Sequence, residues 1–438
     1  MKTKNLKVLI IGGGIGGLCL AQGLKKAGIN FVIFERNKDN NSWLEGYRLN
    51  INPIGSAALY QCLPPHLWNA FLAGVADPKE GIGFMTEKLK ELIFIDEAMM
   101  VGYSHDPSKN LYAAGRKTLR YVLQAGLENE IIYGKDFERY EQLPDGKVKA
   151  IFDDGSYTIG DVLIGADGAN SKVRQQLLPN AKRVTTDAVA VGGKTMLNND
   201  SRKWLAEVFT SRMNVIMPLK KYFFFTAAFD HEIKNSLSSD EIKKTAIKAG
   251  IDPDKFFDND ENYILWAFIT HKNEFEQGLK NPGADVLNLV LNKIEAWHPD
   301  IKKLIKEANH QSVALIPLKV MLPIKNWKVT NVTILGDAVH NMPPLYGMGA
   351  NMALHDAVIL SAQLNRSANG ECSLSEALHL YQEKMLKDGF KALNTSMTYT
   401  KQAISNNILQ RIISRAWFKL CAAIPFFKKM SFGARWVQ

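Results

Sequence analysis

Residues Lys7 to Glu35 constrain the fold more than any other stretch of the chain. Lys7 to Ile11 is a short apolar run, Gly12-Gly13-Gly14-Ile15-Gly16-Gly17 follows it, Leu18 to Ala27 carries helical periodicity up to Gly28, and Phe31 to Phe34 is a second apolar run ending at Glu35. Two runs of strand length around one helix describe a βαβ unit, which requires parallel strands and a layered α/β architecture. The glycines have the GxGxxG spacing. Gly12 permits the tight turn, Gly14 lets backbone approach a pyrophosphate, and Gly17 allows close helix packing. The helix N-terminus at Ile15 and Gly16 then favours the phosphate charge. Glu35, followed by Arg36 and eighteen residues beyond Gly17, is placed to accept hydrogen bonds from an adenosine ribose. An acid there suits a free 2′-hydroxyl, as in FAD or NAD, rather than the 2′-phosphate of NADP.

Length and charge narrow the remaining choices. At 438 residues the chain exceeds what one hydrophobic core usually fills, so two domains are expected. The net charge of +10 suggests nucleic-acid binding until it is located. Gly389 to Gln438 holds eight basic residues and no acidic one, which leaves only +2 for the rest, so the main body lacks the electrostatic footprint of a nucleic-acid-binding protein. Cys19, Cys62, Cys372 and Cys421 are scattered without metal-ligand or redox spacing, and a reducing cytoplasmic location is expected. Met1 to Lys4 before Val8 to Ile11 superficially resembles a signal peptide, but the glycine cluster and the amphipathic stretch that runs into Glu35 argue against one. No window reaches the apolar length of a membrane span, and no metal-ligand cluster is evident.

Further along, a strand and helix start are expected at Asp161 to Asp167 and Ala169 to Leu177, and again at Val332 to Leu335 before a helix from about Ala350 to Leu364. Between them, Val189 to Thr195, Val215 to Leu219, Tyr222 to Phe229 and Tyr263 to Thr270 are rich in β-branched and aromatic residues and read as antiparallel strands. Helical pieces are expected at Ser239 to Ala249 and Ala284 to Trp297. The expected organisation is a discontinuous nucleotide-binding domain (1–80, 104–185 and 327–400), an inserted antiparallel-sheet substrate domain (81–103 and 186–326), and a C-terminal basic amphipathic helix (401–438). In Gln402 to Cys421, Ile404, Ile408, Ile412, Ala416 and Leu420 recur at intervals of four, with Ile413 and Trp417 beside them, while Asn407, Arg411, Ser414, Arg415 and Lys419 fill the other side. Such a helix either packs its apolar face on the body or rests on a membrane surface, with Trp417, Phe418, Phe426, Phe427 and Trp436 at its aromatic end.

Two more glycine-bearing segments carry the chemical argument. Gly165-Ala166-Asp167-Gly168-Ala169-Asn170-Ser171 ends an apolar strand with an acid and opens a helix; by itself it also reads as an Asp-Gly turn capped by Asn170 or Ser171. Gly336-Asp337-Ala338-Val339-His340 ends a third apolar strand, and Pro343-Pro344-Leu345-Tyr346-Gly347-Met348-Gly349-Ala350-Asn351 follows, with flexible backbone at a helix start where amides can meet an anionic ring or phosphate.

These three ordered motifs resemble the class A FAD-dependent monooxygenases, the aromatic hydroxylases of the p-hydroxybenzoate hydroxylase type with their tetracycline-inactivating and polyketide-tailoring relatives. The resemblance covers Lys7 to about Leu364. It implies that Glu35 holds the adenosine ribose and Asp337, after Gly336, the ribityl and pyrophosphate region, with Asp167 nearby. It implies that Pro344 and Gly347 shape the flavin face and that Gly347, Met348, Gly349, Ala350 and Asn351 line the pyrimidine edge of the isoalloxazine. Arg116, before the run Lys117 to Leu123, matches the family's FAD-contacting arginine, and Arg48 in Gly46-Tyr47-Arg48-Leu49 is a second cofactor contact; either arginine alone also reads as a surface ion pair. His340 is implied to pack beside the flavin loop rather than to act as a base. Met213, Met217, Phe223, Phe225 and Trp266 offer a polarizable apolar surface for an aromatic or polycyclic substrate, or else are plain core. The implied activity is hydroxylation with NAD(P)H and O2 through a flavin 4a-hydroperoxide, the protein supplying orientation and exclusion of water. A reductase of the same fold and a non-catalytic, membrane-associated FAD-binding protein remain as alternatives.

Overall fold

The computed structural model describes residues 6–38, 48–75, 81–101, 105–230, 238–256, 262–275 and 282–433. Met1 to Lys4, Gly46, Tyr47 and Trp436 of the sequence reading lie outside them. Five parallel strands form the nucleotide-side sheet in the order Val332–Ile334, Val162–Gly165, Lys7–Ile11, Asn30–Glu35 and Ile131–Tyr133. Lys7–Ile11 lies in the middle, with Val8, Leu9 and Ile10 wholly buried, which is why this run shows no polar alternation. From Gly12 the chain enters the helix Ile15–Lys26 and returns in Asn30–Glu35 beside its starting strand, the expected βαβ crossover.

The middle motif differs in extent from the sequence reading, its strand being Val162–Gly165 and its helix Lys172–Leu177. The carboxylate of Asp167 accepts the Lys172 and Val173 amides at 2.8 and 3.2 Å, and Ser171 Oγ accepts the Arg174 amide at 2.8 Å. The intervening residues are therefore held as a capped turn instead of joining either element.

The second sheet has seven strands in the order Ala314–Met321, Arg183–Met196, Tyr263–His271, Phe223–Phe229, Met213–Ile216, Ile82–Met85 and Glu91–Ile95. It is antiparallel except where Met213–Ile216 pairs in parallel with Ile82–Met85. Those two strands come from distant parts of the chain, so no hairpin forces them to oppose. Arg183–Met196 is longer than expected and kinks where its register shifts between Thr185 and Val189.

The pleat divides this sheet cleanly. Phe224 opposite Phe268 and Thr226 opposite Trp266 share one face. That face is packed under the helices Pro282–Lys293 and Pro299–Lys306 by Val286, Val290, Ile301 and Leu304. The other face carries Val215 opposite Phe225 and Phe223 opposite Ile269, and it is turned toward the nucleotide sheet, because Phe223 and Ile269 pack with Leu345.

Beyond the helix Gly349–Ala368, the 30-residue helix Leu374–Ala403 was not evident in the sequence. The single C-terminal helix expected over 401–438 is instead two, Ile408–Ala423 and Pro425–Phe432. The break falls at Pro425, whose missing N–H cannot continue a helix but suits the start of one. The first of them docks with its faces reversed relative to the packing expected of an apolar stripe, with Arg411 buried against the body and Leu409 and Ile413 exposed. No helix among the described residues is long and apolar enough to cross a membrane.

Candidate active site

The glycine motifs converge at the carboxyl edge of the parallel sheet, where adjacent strands end at Ile334, Gly165, Ile11 and Glu35. Ligands of open α/β sheets bind at this edge. Gly12 has φ +109°, and a Cβ there would stand 2.4 Å from the Ala166 carbonyl oxygen, so only glycine lets the two turns touch. A Cβ on Gly17 would meet the Gly12 carbonyl at 2.2 Å, whereas one on Gly14 would have no atom within 4 Å. The three positions thus divide as the motif requires, two closing the turn and one facing open space.

The late motif is brought against the early one through Leu335 and the small Ala353. A Cβ built on Gly16 would lie 3.2 Å from the Ala353 Cβ, and one on Gly336 would lie 3.0 Å from the same atom. The N-termini of Ile15–Lys26 and Gly349–Ala368 consequently stand side by side. Neither N-cap, Gly14 or Met348, supplies a side-chain hydrogen bond. Leaving first-turn amides unmatched costs stability unless an anion meets them. Glu35, almost buried, accepts the Gly13 amide and the Asn37 amide at 2.9 Å each, one on either oxygen. Each oxygen keeps a lone pair for a further donor. Arg36 follows it on the surface.

The loop before Gly349 is built by packing and by one amide. Pro344 opens a 3-10 turn to Tyr346, Gly347 takes the left-handed conformation at φ +64°, and a Cβ on Gly347 would meet nothing within 4 Å. Tyr346 stacks on Tyr399 of the long helix at 5.1 Å. Asn351, expected at the flavin edge, uses its side chain elsewhere. Its Oδ1 accepts the Asn52 amide at 3.0 Å, and its Nδ2 donates to the Asn50 and Gly347 carbonyls at 2.9 Å each. Gly349, Ala350 and Asn351 form the first turn of the helix, so their backbone N–H groups have no intrahelical acceptor. Asn52 in turn donates to the sulfur of Met348 at 3.1 Å. Asp337 starts the short helix Asp337–His340, and its carboxylate stands 3.9 Å from the Cβ position of Gly349.

His340 and Asp356 form a fully buried pair at 2.7 Å, and Asp356 also accepts the Gly336 amide at 2.8 Å. Burial by itself would lower the imidazole pKa. The Asp356 charge and hydrogen bond, with a smaller contribution from Asp337, overcome that and raise it above its ordinary value. His340 therefore fastens the Gly336 turn to the helix behind it and is closed off from any ligand.

The arginines divide as well. Arg48, on the strand Arg48–Ile51, donates to Asn50 and to the Ala228 carbonyl of the large sheet, and burial pushes its pKa down to about 10 against a favourable interaction with Tyr263. It ties the two-stranded sheet of Arg48–Ile51 and Tyr112–Gly115 to the large sheet, with Nη2 buried and unmatched by a protein group. Arg116 opens the helix Arg116–Gln124 at the surface. Asp167 serves as the helix cap described above, its carboxyl raised by burial against those hydrogen bonds.

Sequence reading missed Arg174, Arg183 and Asp356. Arg174 donates to the Ala169 and Ala338 carbonyls at 3.1 and 3.0 Å, tying the middle turn to the late one. Arg183 donates to Asn341 and Asn170 at 2.6 and 3.0 Å and senses the Asp337 charge. Only Asp356 left a signal, as an acid within the apolar stripe of Met352, Ala357 and Leu360.

Of the five substrate-side residues, three share the face toward the nucleotide sheet. Met213 accepts from the Asn50 amide group at 3.3 Å, and Phe223 and Phe225 lie on the same side of the pleat. Met217 follows the strand end, where its carbonyl is held by Arg415. Trp266 is corrected: it is wholly buried on the opposite face, 6.2 Å from Phe224, and belongs to the core beneath the helices. Strand parity decides this, since residues at odd and even positions point to opposite faces.

An FAD fits this set of groups: two uncapped helix N-termini for its anionic parts, an acid with spare lone pairs at the end of the second strand, and open space over Gly14 and Gly347. The fold and site thus define a dinucleotide-binding flavoprotein. Comparison with known proteins agrees. Residues 294–395 match a family model described as an FAD binding domain, and residues 10–59 one described as an NAD(P)-binding Rossmann-like domain. A crystal structure described as an FAD-containing monooxygenase from Photorhabdus luminescens subsp. laumondii superposes with a TM-score of 0.78 at 30% identity, covering 91% of this chain and 98% of that one. Klebsiella pneumoniae HpxO complexed with FAD and uric acid shares the fold, with a TM-score of 0.74 at 17% identity over 98% of each chain. A dual O-methyltransferase/FAD-dependent monooxygenase from Cercospora beticola is 31% identical over 82% of this chain, which spans only 42% of that relative. The chain belongs to the FAD-dependent monooxygenases.

Proposed function

We propose that this protein uses NAD(P)H and O2 to hydroxylate an aromatic or polycyclic small molecule. The observation that carries the reading is the apolar face bearing Met213, Phe223 and Phe225 turned toward the glycine-rich edge where the two uncapped helices meet. In the reading, Glu35 holds the adenosine ribose, Gly12 to Gly17 the pyrophosphate, Asp337 the ribityl region, and the amides of Gly349 to Asn351 the pyrimidine edge, while Arg48 and Arg116 add cationic contacts. FAD supplies the redox chemistry when bound. The chain's own work is to orient, to exclude water, and to match negative charge on the ring with helix N-terminal amides. Names of relatives support the substrate class, among them an FAD-dependent urate hydroxylase of Klebsiella oxytoca and the 2,6-dihydroxypyridine-3-hydroxylase of Arthrobacter nicotinovorans. Four free cysteines, three of them buried, accord with a reducing cytoplasm.

The test is a screen of aromatic and polycyclic compounds against FAD-loaded protein, following NAD(P)H oxidation and product mass. Stimulated oxidation with a product heavier by one oxygen atom is expected. Substrate turnover undiminished without O2 would assign a reductase instead, and failure to retain or rebind FAD would remove the proposal.

A further inference from the structure

The C-terminal helices carry a feature that the redox chemistry does not use. Among the described residues, seventeen large hydrophobic side chains are exposed, and nine of them fall between Ile408 and Met430. Leu409, Ile413 and Phe426 are 64%, 58% and 69% exposed. Leu409, Ile412, Ile413 and Leu420 recur at the spacing of one helical face, so they form a stripe. The opposite face fixes the helix to the body. The Arg411 guanidinium donates to the Ala403, Ser405, Pro218 and Tyr222 carbonyls, and Arg415 bonds the Met217 carbonyl and pairs with Glu87. Phe418 packs against Phe84 at 4.9 Å, and Cys421 is buried. The docking is specified by directional bonds, and it points the apolar stripe outward by construction.

We infer that this surface docks on an anionic lipid bilayer. Gly389 to Gln438 has eight basic residues and no acid. With Arg411 and Arg415 spent on the body, Lys401, Lys419 and Lys429 remain exposed, with Lys428 partly so. An apolar stripe edged by cations is the composition of a helix that lies in the bilayer interface. The same charge opposes the leading competitor, a second copy of the chain, because two such surfaces would bring like charges together. Arg411 and Arg415 hold the carbonyls at the Met217 to Tyr222 turn between two strands of the large sheet, so docking sets that sheet near the lipid. The inference is independent of the reaction the protein catalyses.

The experiment uses the full FAD-loaded chain in vesicle co-sedimentation. Phosphatidylcholine vesicles are compared with vesicles about one third phosphatidylglycerol, and binding at least about tenfold tighter to the anionic vesicles is expected, weakened by salt. The double variant Leu409→Glu/Ile413→Glu should lose binding while its melting temperature and flavin absorbance match the parent, since both side chains are exposed. Lys428→Glu/Lys429→Glu should lose the preference for anionic lipid and leave the fold intact. Absence of vesicle binding overturns the inference. So does light scattering that reports a dimer which Leu409→Glu/Ile413→Glu converts to a monomer, with no vesicle bound by either form.

Discussion

Asn351 makes the most exacting prediction, because its amide joins three backbone groups from two distant parts of the chain. Asn351→Leu keeps the volume and removes all three bonds, to the Asn52 amide and to the Asn50 and Gly347 carbonyls. Each bond contributes about 1 kcal/mol net, and each buried group left unmatched adds to the loss, so destabilisation of about 3–6 kcal/mol is expected. That is a large share of the roughly 5–15 kcal/mol that holds a domain folded. The Gly347 bond also holds the turn before the helix N-terminus, and ordering that turn on binding without it should weaken FAD by about tenfold.

The assay is thermal unfolding by circular dichroism, paired with FAD titration of the apoprotein. Gly55→Ala provides an independent check from the other side, since its Cβ would stand 2.2 Å from Asn351 Oδ1. Alanine ordinarily stabilises a helix over glycine by roughly 0.5–1 kcal/mol. Destabilisation with weaker FAD binding would therefore carry the opposite sign to propensity. Parent-like melting and FAD affinity in Asn351→Leu would refute the reasoning.

Glu35→Ala should raise the FAD dissociation constant by about tenfold to a hundredfold, through loss of a charged acceptor, as read by flavin fluorescence titration. His340 has a raised pKa, so the stability its pair with Asp356 contributes is complete below the unfolded value of about 6.5 and is lost as pH rises through the folded value. His340→Asn should flatten the decline of melting temperature with alkaline pH, and an unchanged slope would count against the pair. Trp266→Leu should lower stability by about 3 kcal/mol while leaving the substrate dependence of NAD(P)H oxidation intact, whereas Phe225→Ala should shift that dependence with little change in melting temperature.

The parts of the fold that were legible in the sequence are those fixed by local rules. Gly12 and Gly17 announced the first turn because a Cβ at either would collide with neighbouring backbone, and Glu35 followed from strand length. The late loop was legible at Gly347 because its left-handed backbone favours glycine. What escaped were relations set by tertiary packing. Trp266 and Phe225 look alike in a stripe of aromatic residues, and only the register between strands sorts them to opposite faces. Asn351 stood in the expected place for an unexpected purpose, since its partners lie near residue 50. The C-terminal helix was recognised as amphipathic, but which face meets the body depended on carbonyls at Pro218 and Tyr222 that no local pattern marks.

The strand Val332–Ile334 lies at one edge of the parallel sheet, next to Val162–Gly165, and it carries the chain into the loop that completes the ligand site. During synthesis, the Gly12 turn leaves the ribosome more than three hundred residues before Asn351. Until then Val162–Gly165 has an open hydrogen-bonding edge and the nucleotide cradle has one wall. Vitamin-derived cofactor can stabilise only the finished chain, so shortage of flavin should show itself as protein lost to aggregation or proteolysis late in biosynthesis, well before any effect on turnover is measured.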